Sequence, residues 1–132
     1  MRNTQEGFPG KMFGLDLNPN AGYLLQEPYS KFGTIILGDF HQTVPNLPEG
    51  VDFFIHDSDP PEHEATEFNL IKPKLSPNAF VLSDNSETTD VLLNFANANN
   101  MDFLYFAESP AKHWIQPAGI GAAFNKQWKT VV

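Results

Sequence analysis

The sequence contains no cysteine and few basic residues, and each shortage excludes a class of function. Without cysteine, the chain has no disulfides, no thiolate nucleophile and no cysteine-based zinc site. Eight lysines and arginines stand against sixteen aspartates and glutamates, which gives a formal net charge of −8. Because the basic residues are also scattered, this balance disfavours nucleic acid or an anionic membrane as a partner.

Long hydrophobic runs are missing as well. No apolar run is long enough for a transmembrane helix, and the first residues lack the apolar core of a signal peptide. We therefore expect a cytoplasmic protein with a small-molecule substrate. The length of 132 residues and a hydrophobic content of 41%, with twelve phenylalanines, predict a single domain with a packed interior.

Short apolar runs alternate with segments of helical periodicity along most of the chain. The predicted strands cover residues 12–17, 34–37, 51–56, 79–82, 101–106 and 119–124. A helix is predicted over 62–72, with an apolar face formed by Ala65, Phe68, Ile71 and Leu75. This alternation predicts an α/β fold with a mostly parallel sheet and an antiparallel pair near the C-terminal end. Continuous apolar runs such as 51–56 further predict strands that are buried on both faces.

Aspartates stand at the ends of four successive apolar runs, at Asp16, Asp39, Asp57 and Asp84. In open α/β sheets, ligands bind beyond the carboxyl ends of the strands, where an acidic residue commonly accepts hydrogen bonds from ribose hydroxyls. A single strand-end aspartate more often makes a turn or caps the next helix. Four of them in succession favour a ligand-binding edge.

Asp57, together with Asp84 and Asn85, is a candidate metal site. Two carboxylates and an amide oxygen on neighbouring strands are ligands suited to Mg²⁺ or another divalent cation. The alternative is that Asn85 turns the chain and Asp84 caps the following helix. His63, near the start of the helix over 62–72, is a candidate general base, although a solvated surface histidine is the commoner outcome. His56 would face away from Asp57 and pack in the interior.

Four segments around these aspartates, taken in order, carry a family resemblance. They are Gly14-Leu15-Asp16-Leu17-Asn18-Pro19, Leu37-Gly38-Asp39-Phe40, the run 52–59 and the run 75–85. Together they resemble class I S-adenosylmethionine-dependent methyltransferases, which implies a Rossmann-like sheet with helices on both faces. By this resemblance Asp16 would hold the cofactor ribose, Asp39 and Phe40 would contact the adenine, and Asp57 and Asp59 would line the methionine end.

The Asp57 and Asp84-Asn85 pattern is similar to cation-dependent O-methyltransferases, in which the equivalent residues hold Mg²⁺. That subgroup usually has a basic or aromatic side chain after the first acidic motif, where this chain has Pro60-Pro61. Some bacterial methyltransferases have an Asp-x-Asp-His pattern at this strand. Pro60 replaces that histidine here, and His63 follows three residues later.

The resemblance also implies a first strand and a Gly-rich loop before Met12, yet only eleven residues precede it. We therefore expect a fragment or a truncated homologue, incomplete at its N-terminus, whose exposed sheet edges favour a homodimer. Two other functions stay open. One is a non-catalytic interaction domain that keeps the fold. The other is a metal-dependent phosphohydrolase, because the run 53–59 superficially resembles the Asp-x-Asp motif of haloacid dehalogenases.

Overall fold

The computed structural model describes Gly7 and residues 10–58, 61–84, 86–108 and 118–126. The chain divides into two compact units, with the boundary between Asn46 and Leu47. We describe each unit by itself.

The first unit contains a parallel pair of short strands, β1 (Met12–Asp16) and β2 (Gly33–Leu37). A four-residue helix, α1 (Phe40–Thr43), follows β2 and continues into a 3₁₀ turn over Val44–Asn46. Gly22, in the connection between the strands, has a φ of +78°, and a Cβ at this position would overlap the Ile35 side chain. This connection therefore requires glycine, because other residues rarely adopt a positive φ.

The second unit contains a four-stranded sheet with the order β3-β4-β6-β5. Its strands are β3 (Val51–His56), β4 (Leu75–Ser83), β5 (Met101–Glu108) and β6 (Ala118–Asn125). β3 and β4 are parallel, whereas β6 is antiparallel to both β4 and β5. Three strands therefore run in one direction, which confirms the α/β fold class and the antiparallel pair near the C-terminal end.

Two helices pack on one face of this sheet, α2 (Glu64–Ile71) and α3 (Val91–Ala98). The ring of Phe68 meets Phe54 of β3 edge to face, with 6.1 Å between centroids, and stacks on Phe95 of α3 at 5.1 Å. Phe68 thus joins α2 both to the sheet and to α3. 3₁₀ turns over Pro61–His63 and Lys72–Lys74 flank α2, which makes it shorter than the predicted helix.

The described helices of the second unit leave the opposite face of its sheet without a helix of that unit. Phe53 and Ile55 of β3 are 55% and 57% exposed, and they lie across from Phe80 and Leu82 of β4. The prediction that β3 is buried on both faces is therefore wrong for the described residues, because α2 covers only the face that carries Phe54. The family resemblance predicts helices on both faces of the sheet. In the second unit, the two described helices lie on one face.

Candidate functional site

The carboxyl ends of β3 and β4 lie side by side. His56 and Ser83 are register partners, and the backbone N–H of Asp84 donates to the carbonyl oxygen of His56 at 3.1 Å. Asp57 and Asp84 follow these two paired residues, and both are exposed. We call the strand ends that carry Asp57 and Asp84 the acidic edge. The structure thus brings these two predicted site residues together, while their roles as ligands stay predictions.

Behind the acidic edge lies a set of buried and half-buried polar side chains, which we call the buried network. Its members are His56, Ser58, Glu64, Glu67, Ser83 and Thr89. Both glutamates lie on α2, three residues apart, and therefore on one face of the helix. His56, Glu64 and Ser83 are 2%, 0% and 0% exposed. Carboxylates are rarely buried to this extent without partners, since desolvation disfavours their charged form.

Glu67 binds the end of β3. Its Oε2 atom lies 2.6 Å from the Nε2 atom of His56, within hydrogen-bond distance, and accepts from the hydroxyl of Ser58 at 2.7 Å. These two residues flank Asp57 on either side. Glu67 therefore contacts the side chains of the residues on both sides of one acidic-edge residue.

Glu64 binds the end of β4. Its Oε1 atom accepts from the hydroxyl of Ser83 at 2.5 Å, and its Oε2 atom accepts from the hydroxyl of Thr89 at 2.6 Å. Ser83 directly precedes Asp84, and Thr89 lies in the connection to α3. Glu64 therefore joins the strand that ends at the acidic edge to the segment that leads into the next helix.

His56 lies between the two carboxylates. Its Nδ1 atom is 3.8 Å from Oε1 of Glu64 and has no hydrogen-bond partner among the described residues. The ring also packs against Phe68, at 5.2 Å between centroids. Ser58 and Glu67 both approach the same nitrogen, Nε2, so the three residues do not form the relay of a nucleophilic triad, which uses opposite ring nitrogens. His56 thus has the interior packing role that the alternation along β3 predicts.

Sequence analysis missed the two buried glutamates. It placed Ala65 on the inner face of the helix, whereas Ala65 is exposed and Glu64 and Glu67 are buried with Phe68 and Ile71. The reason is a small rotation of the helix, which turns positions 64, 67, 68 and 71 towards the sheet. These positions have the spacing of a helix face, so the signal was present, but glutamates do not register as part of an apolar pattern.

In the first unit, Asp16 and Asp39 both make local turns. Oδ1 of Asp16 accepts from the backbone N–H of Asn18 at 2.8 Å. Oδ1 of Asp39 accepts from the backbone N–H of His41 at 2.7 Å, so that Asp39 caps α1. Both side chains are exposed, and Phe40 is half-buried. The turn-forming role that a lone strand-end aspartate usually has is therefore present at both positions, and the cofactor roles stay predictions.

The remaining predicted site residues are less defined. His63 is exposed at the end of the 3₁₀ turn before α2, and its side chain does not cap that helix. Asp59 and Asn85 lie outside the described residues. Asp84 does not cap the next helix as the alternative proposed, since α3 begins only at Val91. Within the described parts of the chain, no group of three or more His, Asp and Glu side chains has a geometry that could hold a metal ion.

A pocket of about 190 Å³ lies elsewhere, at the amino ends of β4 and β5. Its lining includes Leu75, Phe95 and Met101. Acidic side chains are absent from this lining, so the pocket does not coincide with the acidic edge. None of the helices in the described ranges has the length and apolarity needed to cross a membrane.

Comparison with known families identifies the chain. The model of a methyltransferase domain matches residues 1–86, about two thirds of the sequence. The chain belongs to this methyltransferase family. The matched region includes all four strand-end aspartates and both strands of the acidic edge, which makes the phosphohydrolase interpretation the weaker one. A search of curated proteins finds no match.

Solved structures share the methyltransferase fold at low sequence identity. Cofactor-bound Rv0187 from MTB has a TM-score of 0.66 and 15% identity, over 87% of this chain and 61% of that one. An O-methyltransferase from Bacillus cereus in complex with SAH has a TM-score of 0.65 and 12% identity, over 88% and 63%. A precorrin-6y C5,15-methyltransferase from Geobacter metallireducens has a TM-score of 0.60 and 16% identity, over 88% and 69%.

These likenesses confirm the Rossmann-like fold. The chain spans about three fifths of the length of the first two of these structures.

Proposed function

We propose that this methyltransferase domain binds S-adenosylmethionine and transfers its methyl group to a small-molecule acceptor. The family match over residues 1–86 carries the proposal, because it covers the strands whose ends bear the candidate cofactor residues. Structural neighbours that contain a bound cofactor or SAH support the choice of ligand. The acceptor is not specified by these residues, since acceptor pockets are built from variable loops.

Each candidate residue has a chemical role in this proposal. The exposed carboxylate of Asp16 would accept hydrogen bonds from the ribose hydroxyls, and Asp39 with Phe40 would contact the adenine. In the second unit, Asp57 and Asp59 would lie near the methionine end. The exposure of Asp16, Asp39 and Asp57 supports these roles, because a ligand can reach their carboxylates.

A divalent cation is the second part of the proposal. Asp57 and Asp84 are exposed carboxylates at paired strand ends, and hard oxygen donors of this kind fit Mg²⁺. With Asn85, they would hold a cation that orients and acidifies an acceptor hydroxyl. His63, exposed at the start of α2, would accept the proton of that hydroxyl as general base.

Partners and location complete the proposal. β3 lies at an edge of its sheet among the described strands, which supports a homodimer formed through sheet edges. The low content of basic residues supports the absence of nucleic acid and membrane partners. The cytoplasmic location stays a prediction from the sequence.

Isothermal titration of the full chain with SAH tests the cofactor assignment. Binding by the wild type, lost in Asp16→Ala, would support it. A chain that binds neither SAH nor S-adenosylmethionine, with or without Mg²⁺, would instead favour the non-catalytic interaction domain. Titration with Mg²⁺, repeated on Asp84→Ala, tests the cation site separately.

A further inference from the structure

The buried network attaches a helix to a sheet through polar groups whose burial is energetically unfavourable. Glu64 and Glu67 are buried at positions where apolar side chains would pack at lower cost, since removing a carboxylate from water is unfavourable. Further along the same helix face, Phe68 and Ile71 make the apolar contact that attaches α2 to the sheet. The two glutamates therefore do more than hold the helix in place.

The contacts of the two glutamates converge on the residues that flank the acidic edge. Glu67 binds both neighbours of Asp57 in the sequence, and Glu64 binds the residue before Asp84. Glu64 also accepts from the hydroxyl of Thr89, in the connection after β4. One helix thus contacts both strand ends, and the backbone bond from the N–H of Asp84 to the carbonyl oxygen of His56 links these ends to each other.

We propose that Glu64 and Glu67 are positioning residues, which hold the two strand ends in the geometry that directs Asp57 and Asp84 towards the ligand. This inference rests on the proposed function for its effect on ligand affinity. Its structural part stands without a ligand: the carboxylates, and not the apolar contacts of α2, keep the ends of β3 and β4 paired. Such supporting contacts matter because a site functions only when its side chains are held close to the productive geometry.

The N–H of Asp84 reports directly on this pairing, since it donates across the two strand ends. Amide exchange of the full chain, measured by NMR, should show faster exchange at Asp84 in Glu67→Ala than in the wild type. Glu67→Gln keeps an acceptor for Ser58 and His56, and it should restore most of the protection. Thr89→Val, which removes one donor to Glu64 without loss of volume, should also increase exchange at Asp84.

Ile71→Val is the matched control. It removes a methyl group from the same buried face of α2, distant from the acidic edge, and should leave exchange at Asp84 unchanged. Under the proposed function, Glu67→Ala should weaken SAH binding about tenfold, and Glu67→Gln and Ile71→Val should bind almost as well as the wild type. Should Glu67→Ala fail to fold, Ser58→Ala removes the donor side of the same contact.

The outcomes separate the two proposals. A wild-type chain that binds neither SAH nor S-adenosylmethionine, with or without Mg²⁺, overturns the proposed function, and exchange at Asp84 then decides the positioning role alone. Unchanged protection in Glu67→Ala and Thr89→Val overturns the positioning role, even if SAH binds. Equal acceleration in the Ile71→Val control overturns it too, because the effect would then reflect general loss of stability. Faster exchange with unchanged SAH affinity overturns the link to the ligand.

Discussion

The two units place their strand-end aspartates by different means. In the first unit, the side chains of Asp16 and Asp39 accept from backbone N–H groups two residues ahead, and both side chains are exposed. In the second unit, the residues beside Asp57 and Asp84 bind glutamates between 9 and 19 positions away, in the interior. The first arrangement depends on local hydrogen bonds, so altering it should change stability less, whereas the second depends on the packing of a helix against a sheet.

The largest loss of stability is expected at Glu64, which is fully buried in the second unit. Glu64→Ala removes the acceptor of two hydroxyls and leaves a cavity at a fully buried position, which should lower the free energy of unfolding by about 3 kcal/mol. Urea unfolding followed by circular dichroism measures the loss. Glu64→Gln, which keeps most of the volume and one acceptor, should lose less than half as much. An equal loss in both variants would contradict the role given to these hydrogen bonds.

A smaller loss of stability is expected at Gly22 of the first unit, where a positive φ coincides with a steric overlap. Gly22→Ala introduces a Cβ that overlaps Ile35 at a φ of +78°, and it should cost about 2 kcal/mol. Gly50 serves as the comparison, since it also has a positive φ but a Cβ there meets no atom within 4 Å. Gly50→Ala should therefore cost less. The same unfolding measurement applies, and the reverse order would show that backbone strain outweighs the steric overlap.

Loss of a cap should have a moderate effect. Asp39→Ala removes the acceptor for the N–H of His41 at the start of α1 and should cost about 1 kcal/mol. Asp39→Ser retains a hydroxyl that can cap, so most of the stability should return. If neither substitution changes the unfolding midpoint, the cap does not contribute to the stability of the first unit.

The smallest effect on stability is expected at Asp16. A substitution there separates the role of Asp16 in the turn from its proposed role in binding the cofactor ribose. Asp16→Asn keeps an oxygen that can accept from the N–H of Asn18, so the turn should persist and stability should change by less than about 0.5 kcal/mol. A carboxylate that accepts from ribose hydroxyls has no full substitute in an amide, however, and SAH affinity should fall about tenfold. Titration calorimetry with SAH provides the test, and unchanged affinity would assign Asp16 to the turn alone.

The strands were largely predictable because their signal is local. The run 51–56 is a strand with the predicted bounds. β4 begins at Leu75, earlier than predicted, and contains Pro77, which usually argues against an interior strand. The register between β3 and β4 shifts between Val51 and Phe53, where β3 faces this part of β4, and this irregularity accommodates a residue that cannot donate a backbone hydrogen bond. A sequence pattern does not reveal such a shift in a neighbouring strand.

The acidic edge was predictable for the same reason, since each aspartate follows its own apolar run. The buried network was not. The partners of Glu64 and Glu67 come from β3, β4 and the connection before α3, and only the packed fold brings them together. A glutamate pair on a short helix is typical of a solvated surface, so the pattern favoured the wrong face. A hydrophobic pattern does not indicate which face of a helix is buried when that face carries polar groups.

The position of β6 between β4 and β5 has a consequence for how the protein is made. Among the described strands, β5 pairs only with β6, whereas β3 and β4 can pair as soon as both have left the ribosome. A nascent chain that has reached β5 therefore carries a strand without a neighbour until residues 118–125 are synthesised and inserted. Among the described strands, β6 joins β5 to the rest of the sheet, so we expect β5 to enter the cooperative unit only after residues 118–125 are synthesised.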